Sequence, residues 1–561
     1  MKYPLILFLL ILSVLLSQIP IDYKFSTDIT LNRYENITED GLSSNSIVDI
    51  RPFDSTYFFL STNSGLSYVH IHDLHPDSVS FGSFNRDSIS LPRGGAPALA
   101  VRENIIAISG LLDTTAVTGK ELMGTGISYS IDEGENWFYL SQPKDDIPET
   151  GEYQTISWGE QNISALAVTT EINNISYDLS IGGDYIYAAS WAGGLRRYGP
   201  LYTGQKSWQI IPLPMDTDTS LMCGLIDLNM YEINPKDPWK GNPDDYDSTP
   251  GTYGNHNHKG FSVYVIDDTI WAGTANGINK GIIQSDCIDW THHFTANGTK
   301  TPRPVAGSDP EYVSVGTWKN ISGNWVIGFT HQEFGNVTRL WAITWAGDGS
   351  NEIHALSYTD DGGETWEITS PSGESEKVYN LYANENRIWA ATASGLYVSE
   401  DGEHWERYSR PIDALTGEEI LSESVLAVYN QDNWLWVGTI DGISIIENDT
   451  ITTIHRFWEP ANPFSVYPNP FLINDYNQVD GDGHVRFIYF NPDNYKGTID
   501  IFDFAMDKVI QLGTSHLVDN NESEVIWNGR NEYGDQVANG VYFCRLSLNG
   551  KYYWTKLAVV N

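Results

Sequence analysis

One short unit recurs along the chain. Leu435-Trp436-Val437-Gly438-Thr439 is followed, after two residues, by Gly442-Ile443. Ile388-Trp389-Ala390-Ala391-Thr392 is followed in the same way by Gly395-Leu396, and Ile270-Trp271-Ala272-Gly273-Thr274 by Gly277-Ile278. Phe58-Phe59-Leu60-Ser61-Thr62 with Gly65-Leu66 is a fourth copy. Ile186-Tyr187-Ala188-Ala189-Ser190 with Gly193-Gly194-Leu195 is a looser fifth. Each copy reads as an apolar strand, a short polar turn, and a glycine opening the next strand. A strand pair of this kind cannot bury its apolar face alone. Recurring at a period of roughly 45 to 80 residues, it must stack on copies of itself.

Stacked strand-turn-strand units predict an all-β chain dominated by a β-propeller. Seven blades fit best, and six or eight also fit the pattern. The first runs from about Ser43 to Phe84, the second begins at Ala96, and the third spans Ile163 to Pro212. The fourth covers Phe261 to Phe294, the fifth includes Trp325–Phe329 and Leu340–Thr344, the sixth Val378–Tyr382, and the seventh Val425 to about Phe457. Nineteen Trp and 32 Tyr suit wide side chains packed between sheets. A lone strand, Ile29 to Tyr34, is expected to complete the last blade from outside and hide the seam.

Residues 1–18 read as a secretory signal. Lys2 is the positive start, Pro4 to Leu16 is an apolar run too short for a comfortable span, and Ser17-Gln18 turns polar. No other stretch is apolar enough to cross a membrane, so the mature chain is expected to carry no integral membrane segment. The formal charge of −41 repels nucleic acid and anionic membrane surfaces. Cys223, Cys287 and Cys544 show no pairing motif, so the fold is expected to rest on its core rather than on disulfides. Cys544 is expected to be a buried small hydrophobe.

A second pattern overlies the first. Ser130-Ile131-Asp132-Glu133-Gly134-Glu135-Asn136-Trp137, Thr359-Asp360-Asp361-Gly362-Gly363-Glu364-Thr365-Trp366 and the shorter Ser399-Glu400-Asp401-Gly402-Glu403-His404-Trp405 share one layout. The hydroxyl and carboxylate can cap turn amides, glycine can take the left-handed position, and tryptophan can pack between blades. These stretches resemble the Asp-box, or bacterial neuraminidase repeat. In that resemblance Ser130, Asp132, Gly134, Trp137, Thr359, Asp361, Gly363, Trp366, Ser399, Asp401 and Trp405 are structural. The repeating strand unit, with Gly41-Leu42-Ser43-Ser44-Asn45, also resembles ligand-sensing propellers attached to some two-component regulators.

The propeller is expected over residues 22–459, with Pro460-Ala461-Asn462-Pro463 as a stiff linker and a separate module over 464–561. That module opens on Phe464-Ser465-Val466-Tyr467-Pro468-Asn469-Pro470 and carries Trp527-Asn528-Gly529-Arg530-Asn531 and Gly540-Val541-Tyr542. Short alternating strands over about a hundred residues predict an immunoglobulin-like sandwich. The motifs resemble two groups: the C-terminal sorting domain of type IX secretion cargo, and the Ig-like domain of flagellar hook-capping proteins. The first implies recognition by the secretion machinery, the second an adhesion or spacer role. Met506 stands where the family usually has a turn glycine.

No catalytic constellation emerges. A sialidase needs an arginine cluster and an Arg-Ile-Pro motif, and the nearest text is Arg51-Pro52-Phe53. The 73 acidic residues make carboxylate pairs inevitable, so no pair is diagnostic. His70-x-His72 and His256-x-His258 could each face a metal, but read as a polar strand face and a solvated loop. His292-His293 reads as structural, and Asp480-Gly481-Asp482-Gly483 as a hairpin turn, with a calcium loop as the alternative. No cofactor is expected. The longest irregular stretch, Leu213 to Lys259, offers Trp239, Asp244, Asp245, Tyr246, Tyr253 and His256 as a ligand lip. Together these features predict an exported propeller that binds an extracellular glycan or protein. A secreted glycan-active hydrolase is the alternative.

Overall fold

The computed structural model describes residues 38–560 except 73–78, 85–89, 117–118, 147–152, 215–219, 225–255, 294–300, 304–310, 314–320, 336, 348–351, 409, 415–419, 421, 449–450, 456–463, 468, 474–483, 491–494, 514–516, 520–521 and 549. The signal segment, the Ile29–Tyr34 strand, the linker and the Asp480–Gly483 turn lie outside the described residues. The chain divides into two compact units, Met1–Phe457 and Trp458–Asn561.

In the first unit the described strands form antiparallel sheets in chain order. The first sheet holds Ile47–Pro52, Tyr57–Thr62, Gly65–Ile71 and Val79–Phe84, with Thr38–Asp40 added on its outer side. The second holds Leu99–Arg102, Ile105–Ala116, Gly119–Ser130 and Phe138–Leu140. The third spans Ser176–Ile211, the fourth Gly260–His293 with Ser220–Leu221 outside it, the fifth Trp325–Thr369, the sixth Val378–Arg407 and the seventh Val425–His455. The third sheet therefore starts later than Ile163. That residue belongs to a separate hairpin, Tyr153–Trp158 with Gln161–Leu166, inserted between the second and third sheets.

The first strand of each sheet touches the first strands of its two neighbours. The contacts run from Ile47–Pro52 through Leu99–Arg102, Ser176–Gly182, Gly260–Ile266, Trp325–Phe334, Val378–Ala383 and Val425–Gln431, and return to Ile47–Pro52. A closed circle of inner strands with sheets radiating from it is a β-propeller. The seventh sheet draws all four strands from its own segment, and apolar packing closes the circle there. Leu42, Ile47, Ile50, Phe58, Val69, Ala427, Trp436 and Ile443 share one core between the first and seventh sheets.

The repeated strand unit has a local cause. The Thr hydroxyls of Thr62, Thr274, Thr392 and Thr439 donate to the carbonyls of Gly65, Gly277, Gly395 and Gly442 at 2.8–3.2 Å. The same hydroxyls accept the amides of Ser64, Asn276, Ser394 and Asp441. The four glycines have φ between 101° and 140°, a region closed to most side chains. The apolar residues before each Thr are buried between sheets, among them Trp271, Trp389 and Trp436.

Cys223 and Cys287 form a disulfide with Cα atoms 5.8 Å apart, which corrects the expectation of a fold without one. Proximity along the chain was no guide. Pairing of Ser220–Leu221 with Trp290–Thr291 brings the two thiols together across 64 residues. Cys544 is buried and free. Replacing Cys223 and Cys287 by serine lowers stability by about 2–4 kcal/mol, because the unfolded chain regains the entropy of a long closed loop. Urea unfolding checks this, and an unchanged midpoint would contradict it.

Two buried histidines set an acid limit. His258 is 2% exposed and His293 8%. Burial pushes their imidazoles down to about 3 and about 4, Lys280 assisting at His293. Below pH 6.5 the unfolded chain takes up protons that the folded chain refuses. Stability therefore falls by about 1.4 kcal/mol per pH unit for each group, until pH reaches the folded values. Urea midpoints at pH 7 and pH 5 measure the fall, and His293→Gln makes it shallower.

The second unit is two sheets around one core. Phe464–Tyr467, Val485–Phe490, Glu522–Trp527 and Leu517–Asp519 form one. Phe471–Leu472, Lys551–Val560, Gly540–Leu548, Gly497–Phe502 and Lys508–Gly513 form the other. Phe464, Phe471, Phe487, Ile501, Trp527, Cys544 and Leu557 fill the space between them. Asn469 Oδ1 accepts the Ala558 amide at 2.9 Å and its Nδ2 donates to the Lys556 carbonyl at 2.8 Å, tying the opening motif to the last strand. Trp527 Nε1 donates to the Arg530 carbonyl, and Tyr542 Oη to that of Ala538. Met506 has φ +67°, the left-handed turn position that the missing glycine would occupy without strain.

Candidate ligand-binding site at one end of the ring

Alternation of strand direction sorts the loops to two ends. Turns between the first and second strands of each sheet, and between the third and fourth, lie at one end. Turns between the second and third strands, and the long connections between sheets, lie at the other. The connection from the third sheet to the fourth leaves and re-enters at the second of these ends, through Leu213–Pro214 and His256–Lys259.

The three Ser/Thr-x-Asp turns lie at the opposite end. Ser130 Oγ accepts the Gly134 amide at 2.8 Å and donates to Asp132 Oδ1, which accepts the Asn136 amide at 2.8 Å. Thr359, Gly363, Asp361 and Thr365 repeat this at the same distances, and Ser399 bonds the Gly402 amide. Burial alone would raise the Asp361 carboxyl, but the hydrogen bonds from Thr365, Thr359 and the turn amides together outweigh it and hold the group at about 2. Each tryptophan packs edge-on against the preceding sheet: Trp137 on Phe84, Trp366 on Trp271, Trp405 on Trp341. In each turn the hydroxyl and carboxylate bond local amides and the tryptophan ring meets the neighbouring sheet.

Trp239, Asp244, Asp245, Tyr246 and Tyr253 lie outside the described residues. His256 is described, in a short 3-10 turn, His256–His258, at the foot of the fourth sheet. His258 is buried beside Asn257, whose amide bonds the Pro214 carbonyl and the Asn279 side chain. His70 and His72 do share a face, with rings 4.1 Å apart, but His70 stacks on Tyr57 and His72 bonds Ser80. His292 bonds the Asn276 carbonyl at 2.7 Å. Among the described residues no group of three metal-ligating side chains gathers.

Beside the foot of the long connection the structure assembles aromatics that sequence reading missed. Trp191 and Phe261 lie 5.2 Å apart, Phe261 and Trp325 5.7 Å, Trp191 and Trp325 6.3 Å, and Tyr177 and Phe261 6.3 Å. All four rings are half-buried. Lys259 Nζ stands 4.5 Å over the Trp191 ring. The neighbouring sheets extend the surface with Trp345 and Tyr379, 5.9 Å apart, and Lys377 stands over Trp345. Trp345 Nε1 donates to the Val378 carbonyl, which orients it.

The cause is a repeated irregularity. Six inner strands slip register near their start: at Ile47/Asp49, Ser176/Asp178, Gly260/Ser262, Val326/Gly328, Val378/Asn380 and Val425/Ala427. A bulge leaves one residue unpaired and re-aims its side chain. Tyr177, Phe261 and Tyr379 are such residues, which is why wide rings emerge at the start of core strands. A signal existed in the sequence: an aromatic one residue before the polar position of Asp178, Ser262 and Asn380.

One residue further along, the inner strands carry a polar layer. Asp49 Oδ1 accepts from Asn380 Nδ2 at 2.9 Å, past the small Ala427, and Arg51 Nε donates to Asp49 Oδ2 at 2.7 Å. Asp178 accepts the amides of Leu179 and Val263 at 2.9 and 3.0 Å. Burial pushes its carboxyl up to about 7, against the pull of those amides and of Arg51. Tyr264 Oη and His331 Nδ1 are 2.6 Å apart. Ser262 Oγ donates to the Val326 carbonyl, and Ser180 Oγ accepts the Val265 amide. Most of this layer stitches one sheet to the next.

No protein-family model matches this chain, and no curated protein matches it in sequence. Solved structures similar to it include YCF48 bound to D1 peptide, 13% identical over 73% of this chain and 95% of that one, with a TM-score of 0.35. PorZ, a surface component of the type-IX secretion system of Porphyromonas gingivalis, is 12% identical over 94% of this chain and all of its own, with a TM-score of 0.25. The extracellular domain of a hybrid two-component system from B. thetaiotaomicron is 11% identical over 93% and 82%, with a TM-score of 0.20. No helix among the described residues is long and apolar enough to cross a membrane. On its own topology, the closed circle of inner strands, the first unit of this chain is a β-propeller.

Proposed function

We propose that this is an exported bacterial protein whose seven-bladed propeller binds an extracellular glycan or protein segment without turning it over. Its C-terminal module is an immunoglobulin-like domain of the sorting or hook-capping type, which directs secretion or surface attachment. The observation that carries the binding reading is the cluster of Tyr177, Trp191, Phe261 and Trp325, half-exposed at the end where the long connections emerge. Rings fixed by packing present stacking area at little entropic cost, and Lys259 adds a donor beside them. Export is supported by the apolar N-terminal run and by the Cys223–Cys287 disulfide, a bond that persists in oxidising compartments. The three Ser/Thr-x-Asp turns support an Asp-box propeller with a structural, not catalytic, use of those residues.

A screen of the full-length mature protein on glycan and peptide arrays, with and without calcium, tests the reading. Selective binding with no product released supports it. Silence on both arrays overturns it. Turnover of any bound glycan favours the second reading, a glycan-active hydrolase. Asp178 is the observation behind that second reading, a carboxyl in the inner polar layer whose proton is retained near neutral pH.

A further inference from the structure

A cavity of about 800 Å3 lies at the end of the ring opposite the aromatic platform. Its walls are two adjacent turns of like composition, Asn384-Glu385-Asn386-Arg387 in the sixth sheet and Asn430-Gln431-Asp432-Asn433 in the seventh. Phe334 from the fifth sheet, with Trp389 and Leu435, supplies its apolar lining. We propose that this cavity is a second binding site, and that its ligand is a neutral oligosaccharide.

The walls are built before any ligand arrives. Asn384 Oδ1 accepts the amides of Asn386 and Arg387, both at 2.9 Å, and Gln332 Nε2 donates to the Asn384 carbonyl at 2.8 Å. Asn384 Nδ2 donates to Asn430 Oδ1 at 3.2 Å, joining the two turns, and Asn430 Nδ2 donates to the Trp434 carbonyl at 3.0 Å. With those two amides holding the frame, the side chains of Asn386, Asn433 and Asn448 stay exposed on it. Each amide offers both donors and an acceptor, which a sugar hydroxyl can match in either sense. Trp389 lines the cavity at 3% exposure, and its buried indole N–H has no partner among the described residues. A buried donor left unpaired is costly unless a ligand or solvent oxygen meets it.

Charge narrows the ligand class. Arg387, the one cation among the described lining residues, stands 3.5 Å from Glu400. Glu385 and Asp432 remain as a surplus of negative charge, in a chain of net −41. An anionic glycan or a phosphate is repelled there. A purely apolar ligand would strand the amides and carboxylates without water. The volume falls in the usual range for small-molecule sites. The inference does not rest on the aromatic platform, because no residue is shared between the two.

Calorimetric titration of the full-length protein with chitohexaose, mannohexaose, laminarihexaose and, as the anionic control, hexagalacturonate tests this. At least one neutral hexasaccharide binds, and hexagalacturonate does not. The double variant Asn386→Ala, Asp432→Asn weakens that binding by roughly tenfold or more, since a charge-assisted hydrogen bond and an amide contact are lost. Asp432 has φ +52°, which asparagine adopts readily, so the variant keeps its unfolding transition. Trp325→Ala leaves binding at this cavity unchanged. The proposal is overturned if no neutral sugar binds, if the double variant binds as tightly as the parent, or if hexagalacturonate binds best. Binding lost with Trp325→Ala but kept by the double variant assigns the sugar to the platform and overturns only the cavity.

Discussion

Replacing Trp341 by alanine lowers the unfolding free energy by about 3–5 kcal/mol, the range for a fully buried tryptophan whose neighbours cannot collapse. Trp341 is wholly buried in the fifth sheet. Its indole Nε1 donates to Gln332 Oε1 at 3.0 Å, its ring lies 4.8 Å from Tyr358, and Trp405 of the sixth sheet meets it edge-on at 6.4 Å. The Gly402 backbone comes so close that an added Cβ would sit 2.5 Å from the Trp341 ring. The arrangement is rigid on both sides, so truncation leaves a void between two sheets and takes from Gln332 Oε1 the indole donor it accepts from. Urea unfolding followed by far-UV circular dichroism reads the loss. Trp341→Phe keeps much of the volume and costs less. A loss below 1.5 kcal/mol for the alanine variant would show that the two sheets close up freely, against the packing described here.

The double variant Trp191→Ala, Trp325→Ala weakens ligand binding at the platform by at least 30-fold for each tryptophan that contacts the ligand. That factor corresponds to about 2 kcal/mol, the lower bound for an aromatic anchor. The two rings stand 6.3 Å apart and share Phe261 as a common neighbour, so they act as one surface. Both are half-buried, so their removal costs stability far less than removal of Trp341. The comparison therefore separates loss of binding from loss of fold. Titration of the array-selected ligand into parent and variant measures the effect. Equal affinities would remove the platform from the binding reading, while leaving the opposite cavity as it stands.

Much of the architecture was legible because its causes are local. The Thr-x-x-Gly turn works through hydrogen bonds within four residues, so it appears in the sequence wherever it appears in the fold. The same holds for the three Ser/Thr-x-Asp turns, whose caps span at most four residues. Met506, read as a departure from a glycine position, does occupy a left-handed turn. Boundaries were less legible. The Gln161–Leu166 strand has the composition of an inner strand but pairs only with Tyr153–Trp158, and its partner decides its role.

The candidate site was the least legible part. Sequence reading favoured the long Leu213–Lys259 connection, because length and polarity are visible along the chain. The described site comes from Tyr177, Trp191, Phe261 and Trp325, which span about 150 positions and meet only when three sheets are set side by side. The Cys223–Cys287 pair escaped notice for the same reason.

By itself the sequence determined a chain of stacked strand-turn units and the local hydrogen bonding of its Ser/Thr-x-Asp turns, because each of these depends on neighbours a few residues apart. The tertiary structure alone decided which distant residues meet: the disulfide at the outer edge of the fourth sheet, the Asp49–Asn380 contact past Ala427, the aromatic platform and the amide-lined cavity. The disulfide and the cavity depend on which strands and sheets become neighbours, the platform on bulges in the inner strands, and the Asp49–Asn380 contact on closure of the circle, which is a property of all the sheets together.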